Sequence, residues 1–229
     1  MDKRIFYVGT TIVGIGLIYL IFKKNIAKNM KSSKPLKSIL FVGDSITAIT
    51  YQGKPVTYTY PNVIKKEVEP KGVKVDVLAI GGKRTSWMLS SLIEKLKNNS
   101  YDRIYIYGGV NDMFSSTTIK EALNNIQQMV DLTNSKGGEA FVITGYDAKV
   151  FMDENKLVPT KNVPTKAGMI KLKDRYIEFQ NSIADNIKNA TILPKYNISS
   201  TYTSDGVHLS GKGSKILADF LLNDINKAI

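Results

Sequence analysis

From residue 38 onward the chain alternates short apolar runs with segments whose apolar positions recur every three or four residues. "SILFVG" (38–43), "VKVDVLAI" (73–80), "RIYIYG" (103–108), "EAFVITG" (139–145) and "ATIL" (190–193) are brief and rich in β-branched and aromatic side chains, and several end at glycine. That pattern predicts buried strands. Between them, Met88, Leu89, Leu92, Ile93 and Leu96 follow helical spacing, as do Ile119, Ala122, Leu123, Ile126, Met129 and Val130. Leu217, Phe220, Leu221 and Ile225 repeat it near the C-terminus, and Pro61 after Tyr60 marks the start of a further helix over 61–69. Strand-helix alternation of this kind implies an α/β fold, a parallel sheet of about five strands with right-handed crossovers and helices on both faces. Function in such folds collects at the carboxyl ends of the strands. "GYDAKVFMDENKLVPTKNVPTK" (145–166) breaks the pattern and predicts a long loop beside that edge.

The first 37 residues follow another logic. "IFYVGTTIVGIGLIYLIF" (5–22) carries no charge and is bounded by Lys3-Arg4 and Lys23-Lys24. As a helix it would be about 27 Å long, close to the hydrocarbon thickness of a bilayer. A cleaved signal peptide would end in small residues, whereas this segment runs into "KKNIAKNMK"; a core helix would not be apolar all round. The expected organisation is a membrane anchor over 1–24, a basic tether over 25–37 and a catalytic domain over 38–229. Six lysines after the span against two basic side chains before it favour a cytoplasmic body, although an enzyme acting on envelope polymers would need the reverse. The lysines of the tether could also sit on anionic headgroups.

Charge and composition narrow the classes. The formal net charge is +12, but eight of the basic residues fall within 1–37, opposed there by Asp2 alone. The body has no basic stripe interleaved with aromatics, so no nucleic-acid partner is expected. With no cysteine and a single histidine, His208, the chain has no disulfides, no thiolate nucleophile, no Cys-based metal or cluster site, and no multi-His site of its own.

The first three predicted strands end in polar, glycine-bearing turns, "GDSIT" after the first, "GGKRTS" after the second and "GGVNDM" after the third, and "DGVHLS" precedes the last helix. Singly these have plain readings. Ser45 or Thr47 could cap a helix, Asn111-Asp112 is ordinary turn chemistry, and an aspartate three residues before a histidine is a common surface coincidence. Jointly they bring a serine, a carboxamide, an aspartate and the sole histidine to one edge of one sheet.

With "GDSI", "AIGGKRT", "GGVND" and "DGVH" in this order, the chain from about residue 38 to 229 resembles the SGNH hydrolases, also called GDSL-like esterases and lipases. The resemblance implies a flavodoxin-like three-layer α/β/α sandwich that hydrolyses esters or transfers acyl groups without a metal or other cofactor. It assigns Ser45 as nucleophile, His208 as base, Asp205 as its acid partner, and Asn111 as a side-chain donor to the oxyanion. Backbone N–H groups of Ser45 and a glycine complete that hole; spacing favours Gly82, with Gly81 adjacent. The chain departs from the family in having Ile46 where leucine is common, and in lacking the asparagine often found before the second motif's glycine.

The chemistry agrees. A serine hydroxyl needs a base to take its proton, and a neutral imidazole, with an ordinary pKa of about 6.5, suits neutral pH. Asp205 would hold its tautomer, and each oxyanion donor can be worth roughly 3 kcal/mol. "GVHLSGKG" (206–213) nearly spells a nucleotide-binding loop, but Gly213 stands where Ser or Thr is required. Trp87 reads as a core residue at a helix start. Tyr51, Tyr58 and Tyr60 could line a sugar cleft or pack the first crossover. The expectation is a membrane-anchored serine esterase acting on an acyl, favourably acetyl, ester of a carbohydrate. A lysophospholipase and an inactive tethered binding protein are the alternatives.

Overall fold

Ile39 to Val42 have no exposed surface, and the strand that contains them organises the rest. In the computed structural model, which describes residues 35–51, 54–147, 159, 163, 165–203 and 205–229, β1 (Ser38–Gly43) is paired in parallel on both sides. Its neighbours are β4 (Lys74–Ala79) and β5 (Arg103–Tyr107), and the sheet continues through β6 (Glu139–Ile143) to β7 (Thr191–Leu193). All four pairings are parallel. The order β4-β1-β5-β6-β7 puts the second sheet strand outside the first, the 2-1-3-4-5 arrangement of flavodoxin-like sheets. Two further strands, β2 (Thr50–Tyr51) and β3 (Lys54–Pro55), form a small antiparallel pair after β1.

The helices are α1 (Tyr60–Val68), α2 (Thr85–Lys95), α3 (Val110–Met113), α4 (Ile119–Ser135), α5 (Lys166–Asn186) and α6 (Gly211–Ile225). The chain moves outward from β1 to β4 and then back across β1 to β5. Right-handed crossovers therefore put α1 and α2 on opposite faces. Packing agrees: α1 meets α6, while α2 meets α4 and α4 meets α5. Phe41, Tyr105 and Phe141 occupy one register on β1, β5 and β6 and stack at centroid distances of 5.2 and 4.7 Å. Tyr60 at the start of α1 meets Phe41 edge-on, so this aromatic row forms the core beneath α1.

All five predicted strands occur, each within a residue or two of its expected bounds, and so do the four predicted helices. Helix α5 does not follow from periodicity: its buried positions are Met169, Tyr176, Phe179, Gln180 and Ile183, a stripe with a long gap and a polar member. The anchor expected at 5–22 and most of the 145–166 loop lie outside the described residues. Among those described, no helix is long and apolar enough to cross a membrane.

The end of β1 is tightly confined. A Cβ on Gly43 would lie 2.2 Å from Thr47 Oγ1 and 2.7 Å from the Tyr107 carbonyl oxygen, and the latter, being backbone, cannot rotate away. Gly43→Ala is expected to destabilise the protein by roughly 1–3 kcal/mol, the range for an overpacked interior. A lower midpoint in a urea melt checks this, and an unchanged midpoint would contradict it.

Candidate active site

Ser45 stands in the turn that ends β1. The Asp44 carbonyl accepts the N–H groups of Thr47 (3.1 Å) and Ala48 (2.9 Å), folding the chain back immediately after the strand. The Asp44 side chain is buried, and its Oδ1 accepts the Ile46 N–H at 3.0 Å. This leaves Ser45 half-buried at the sheet edge, with Oγ 2.9 Å from His208 Nε2 across 163 positions of sequence.

The segment that supplies the histidine is closed on itself. Thr203 and Leu209 form an antiparallel bridge, with Asp205 and His208 in the loop between them. Asp205 Oδ1 accepts the backbone N–H groups of Val207 (3.0 Å) and His208 (2.8 Å), and Oδ2 lies 2.7 Å from His208 Nδ1. Tyr146 buttresses the loop by donating its hydroxyl to the Val207 carbonyl at 2.7 Å. Ser210 then caps α6: its Oγ accepts the Gly213 N–H and donates to the Tyr202 carbonyl at 2.9 Å. The nucleotide-loop spelling is thus the His208 loop running into a helix start.

These contacts set the charges. Burial pushes the Asp205 carboxyl upward, but the hydrogen bonds from the His208 ring and backbone outweigh it and hold the group at about 2. Its partner moves the other way: the hydrogen bond to Asp205 raises the His208 pKa above its ordinary value, against the opposing effect of burial. An ionised Asp205 can only accept, so Nδ1 carries the proton in neutral His208 and the Nε2 lone pair faces Ser45.

The remaining predicted groups converge from two other strand ends. A Cβ on Gly81 would lie 3.5 Å from Ser45 Cβ, whereas Gly82, at φ +76°, would meet nothing within 4 Å. Gly81 therefore abuts the serine, and Gly82 supplies the left-handed turn that only glycine adopts readily. Asn111, on α3, directs its amide nitrogen to Asp44 Oδ2 (3.3 Å) and the Lys83 carbonyl (3.0 Å). The four side chains and the glycine pair named from the sequence are all brought to one edge.

Three supporting groups escaped the sequence reading. Fully buried Asp112 accepts the Thr85 N–H (2.9 Å) and hydroxyl (2.6 Å), locking the first residue of α2 to the turn that bears Asn111. Burial raises its pKa, with the Thr85 hydrogen bonds opposing. Arg175 on α5 donates to the carbonyls of Met113 (3.0 Å), Ser115 (2.8 Å) and Thr117, pinning the chain that leaves α3. Tyr146, already noted, is the third. Of the aromatics singled out, Trp87 packs half-buried against the core, and Tyr60 is wholly buried with its hydroxyl 2.9 Å from Thr47 Oγ1. Tyr58 is 55% exposed and stands at a cavity of about 570 Å³ that opens beside Ser45 and His208.

Comparison with known proteins bears on the family and the fold. The profile of the GDSL-like Lipase/Acylhydrolase family matches residues 41–216. The isoamyl acetate-hydrolyzing esterase of Saccharomyces cerevisiae is 26% identical over 212 residues, 82% of this chain and 86% of that protein. An acetylxylan esterase from Geobacillus stearothermophilus shares the fold with a TM-score of 0.61 at 18% identity, covering 82% of this chain and 94% of that one. A lipase/acylhydrolase from Enterococcus faecalis does so with a TM-score of 0.59 at 20% identity, covering 84% and 96%. With so much of its length matched, the chain belongs to the GDSL-like lipase/acylhydrolase family, the SGNH hydrolases, and is a hydrolase of that serine esterase family.

Proposed function

We propose that the protein hydrolyses short-acyl, chiefly acetyl, esters, with Ser45 as nucleophile, His208 as general base and Asp205 as its orienting acid. The observation that carries this reading is the unbroken hydrogen-bonded relay from Ser45 Oγ to His208 Nε2 (2.9 Å) and from Nδ1 to Asp205 (2.7 Å). Ser45 Oγ attacks the ester carbonyl while His208 takes its proton. Negative charge then develops on the former carbonyl oxygen, against the N–H groups of Ser45 and Gly82 and the Asn111 amide. Collapse expels the alcohol, protonated by His208, and water later releases the acid by the same route. Both Asn111 amide hydrogens have acceptors in the resting site, so one must be released to meet the oxyanion. The 3.3 Å contact to Asp44 is the longer and therefore the weaker of the two.

An acetyl group is supported by two relatives named for acetate esters, one of a xylan and one of isoamyl alcohol. The carbohydrate expectation rested on the polar, tyrosine-bearing loop after Ser45 and on the lack of an obviously apolar acyl channel. Of that loop's tyrosines, Tyr60 belongs to the core, and Tyr58 is the one whose described side chain reaches the cavity. Residues 5–22 tether the enzyme to a membrane. After a high-salt and alkaline wash the full chain is expected to remain in the membrane pellet and to need detergent for release; recovery in the wash would refute the tether.

The chemistry has three further tests. Ser45→Ala is expected to lower kcat/KM for a p-nitrophenyl acetate-type ester by at least about 10³-fold and to abolish labelling by a fluorophosphonate. Retained turnover would exclude Ser45 as nucleophile.

The acid limb of the kcat/KM profile reports protonation of His208. Because its pKa is raised by Asp205, the base is lost at a higher pH than for a free imidazole, with a midpoint above 6.5. Asp205→Asn is expected to move that midpoint down and to cut kcat steeply, through the wrong tautomer. A flat profile between pH 5 and 8 would remove His208 from the base role.

Asp44 is read as a positioning residue behind Asn111. Burial raises its pKa from 3.8 to about 6, so the folded state binds this proton more tightly than the unfolded chain. Folding is therefore opposed as pH rises from about 4 to about 6, by an amount on the order of 3 kcal/mol above that window. Asp44→Asn is expected to raise the melting temperature at pH 8 more than at pH 4, while lowering kcat roughly tenfold with little change in KM. A stability change independent of pH, or an unchanged kcat, would contradict this role.

A further inference from the structure

The cavity beside Ser45 is one-sided. Its walls come from the chain that follows the serine, with Ile46, Ala48 and Val56, and from the chain that follows the histidine, with Leu209, Ser210 and Ser214. Gly81 touches it, but Gly82 and Asn111 are not among its lining residues. It therefore lies on the His208 side of the nucleophile, away from the groups assigned to the oxyanion.

That placement determines which half of an ester it can receive, given the proposed roles of Ser45 and His208. The tetrahedral carbon bonds to Ser45 Oγ, the oxyanion, the leaving oxygen and the acyl substituent. The oxyanion points toward Asn111 and the glycine turn. The leaving oxygen must come within hydrogen-bond reach of His208 Nε2 to receive its proton, so the group attached to it projects into the space bordered by His208 and Leu209. The acyl substituent takes the remaining direction, outside the cavity.

Wall chemistry then selects the alcohol. Ile46, Ala48 and Leu209 are buried and apolar, and among the described residues no lysine or arginine lines the space. The polar atoms on its wall are largely committed elsewhere. Both Asp205 oxygens hold the His208 loop and Ser210 Oγ is engaged by Gly213 and Tyr202, while Thr59 Oγ1, which has no hydrogen-bond partner, is enclosed within the protein. A sugar entering here would leave several hydroxyls without replacement for the water they lose, and an anionic headgroup would find no cation among the described residues.

We infer that this cavity is the leaving-group site and that the alcohol it holds is neutral and mainly aliphatic, which distinguishes it from both a sugar and a glycerophospholipid headgroup. The inference rests on the proposed chemistry at Ser45. Ala48 and Val56 set the length of chain that fits, and the exposed Tyr58 ring flanks the mouth.

The test holds the acyl group fixed and varies the alcohol. With the full chain, kcat/KM is measured for methyl, propyl, butyl and hexyl acetate, for acetylcholine and for 6-O-acetylglucose. The expected result is a rise of up to about fourfold per added methylene until the cavity is filled, with both polar esters well below hexyl acetate. Ala48→Leu is expected to lower the hexyl-to-methyl ratio at least tenfold; the wild-type series decides the matter alone should that variant not fold. A series that is flat or falls with chain length, or glucose acetate turned over faster than hexyl acetate, overturns the aliphatic site. If a fluorophosphonate adduct forms on Ser45 in that case, the proposed chemistry survives and only the alcohol assignment is lost. If there is neither adduct nor turnover of any acetate, both are lost.

Discussion

The whole arrangement depends on β1 being hydrogen-bonded to a parallel neighbour on each side. A strand so enclosed has no edge and no solvent face, which is why Ile39 to Val42 have no exposed surface and why no polar side chain appears between Ser38 and Asp44. The first two residues past Gly43 are the carboxylate and the serine. The neighbouring strands end at the same height, so the Gly81 turn and the Asn111 turn arrive beside them without any long-range search by loops. Asp112 fixes the relation between those two turns by gripping Thr85 across 27 positions of sequence. Precision at the site is thus inherited from backbone pairing, with a few buried side chains transmitting it.

Three carboxyl groups within this edge show how environment separates their duties. Asp205 is only half-buried, accepts three N–H groups and stays ionised to about pH 2. Asp112 is fully buried and its pKa is raised, its two oxygens devoted to a helix start. Asp44, also buried, lies between these two, near enough to His208 and Asp112 to feel both charges. Such groups oppose folding when ionised. Their retention at a reactive edge is the usual sign of stability exchanged for placement.

Much of this was legible in the sequence because it is local. Strands of five or six residues with β-branched side chains, helices with regular stripes, and Asp205 three positions before His208 all declare themselves within a short window. What was illegible depends on distant partners. Helix α5 escaped because Gln180 faces the interior, where its amide donates to the carbonyls of Thr144 (2.6 Å) and Tyr146 (3.3 Å); hydropathy counts that position as polar. Arg175 looks like a surface cation until the chain leaving α3 is folded against it. Tyr58 and Tyr60 are two residues apart and have opposite fates, since Tyr60 opens a helix that turns it onto Phe41. Spacing favoured Gly82 of the neighbouring glycines, but what distinguishes the pair in the fold is torsion, which sequence does not show: only Gly82 has positive φ.

The bridge between Thr203 and Leu209 has a mechanical consequence. Because acid and base ride on one short closed segment, tied internally by three hydrogen bonds that Asp205 accepts, they shift together as a unit. Any strain, ligand or motion that reaches this segment acts on a single coordinate, the gap between His208 and Ser45. The imidazole keeps its acid partner throughout, and such a perturbation changes only whether the relay is closed to the serine.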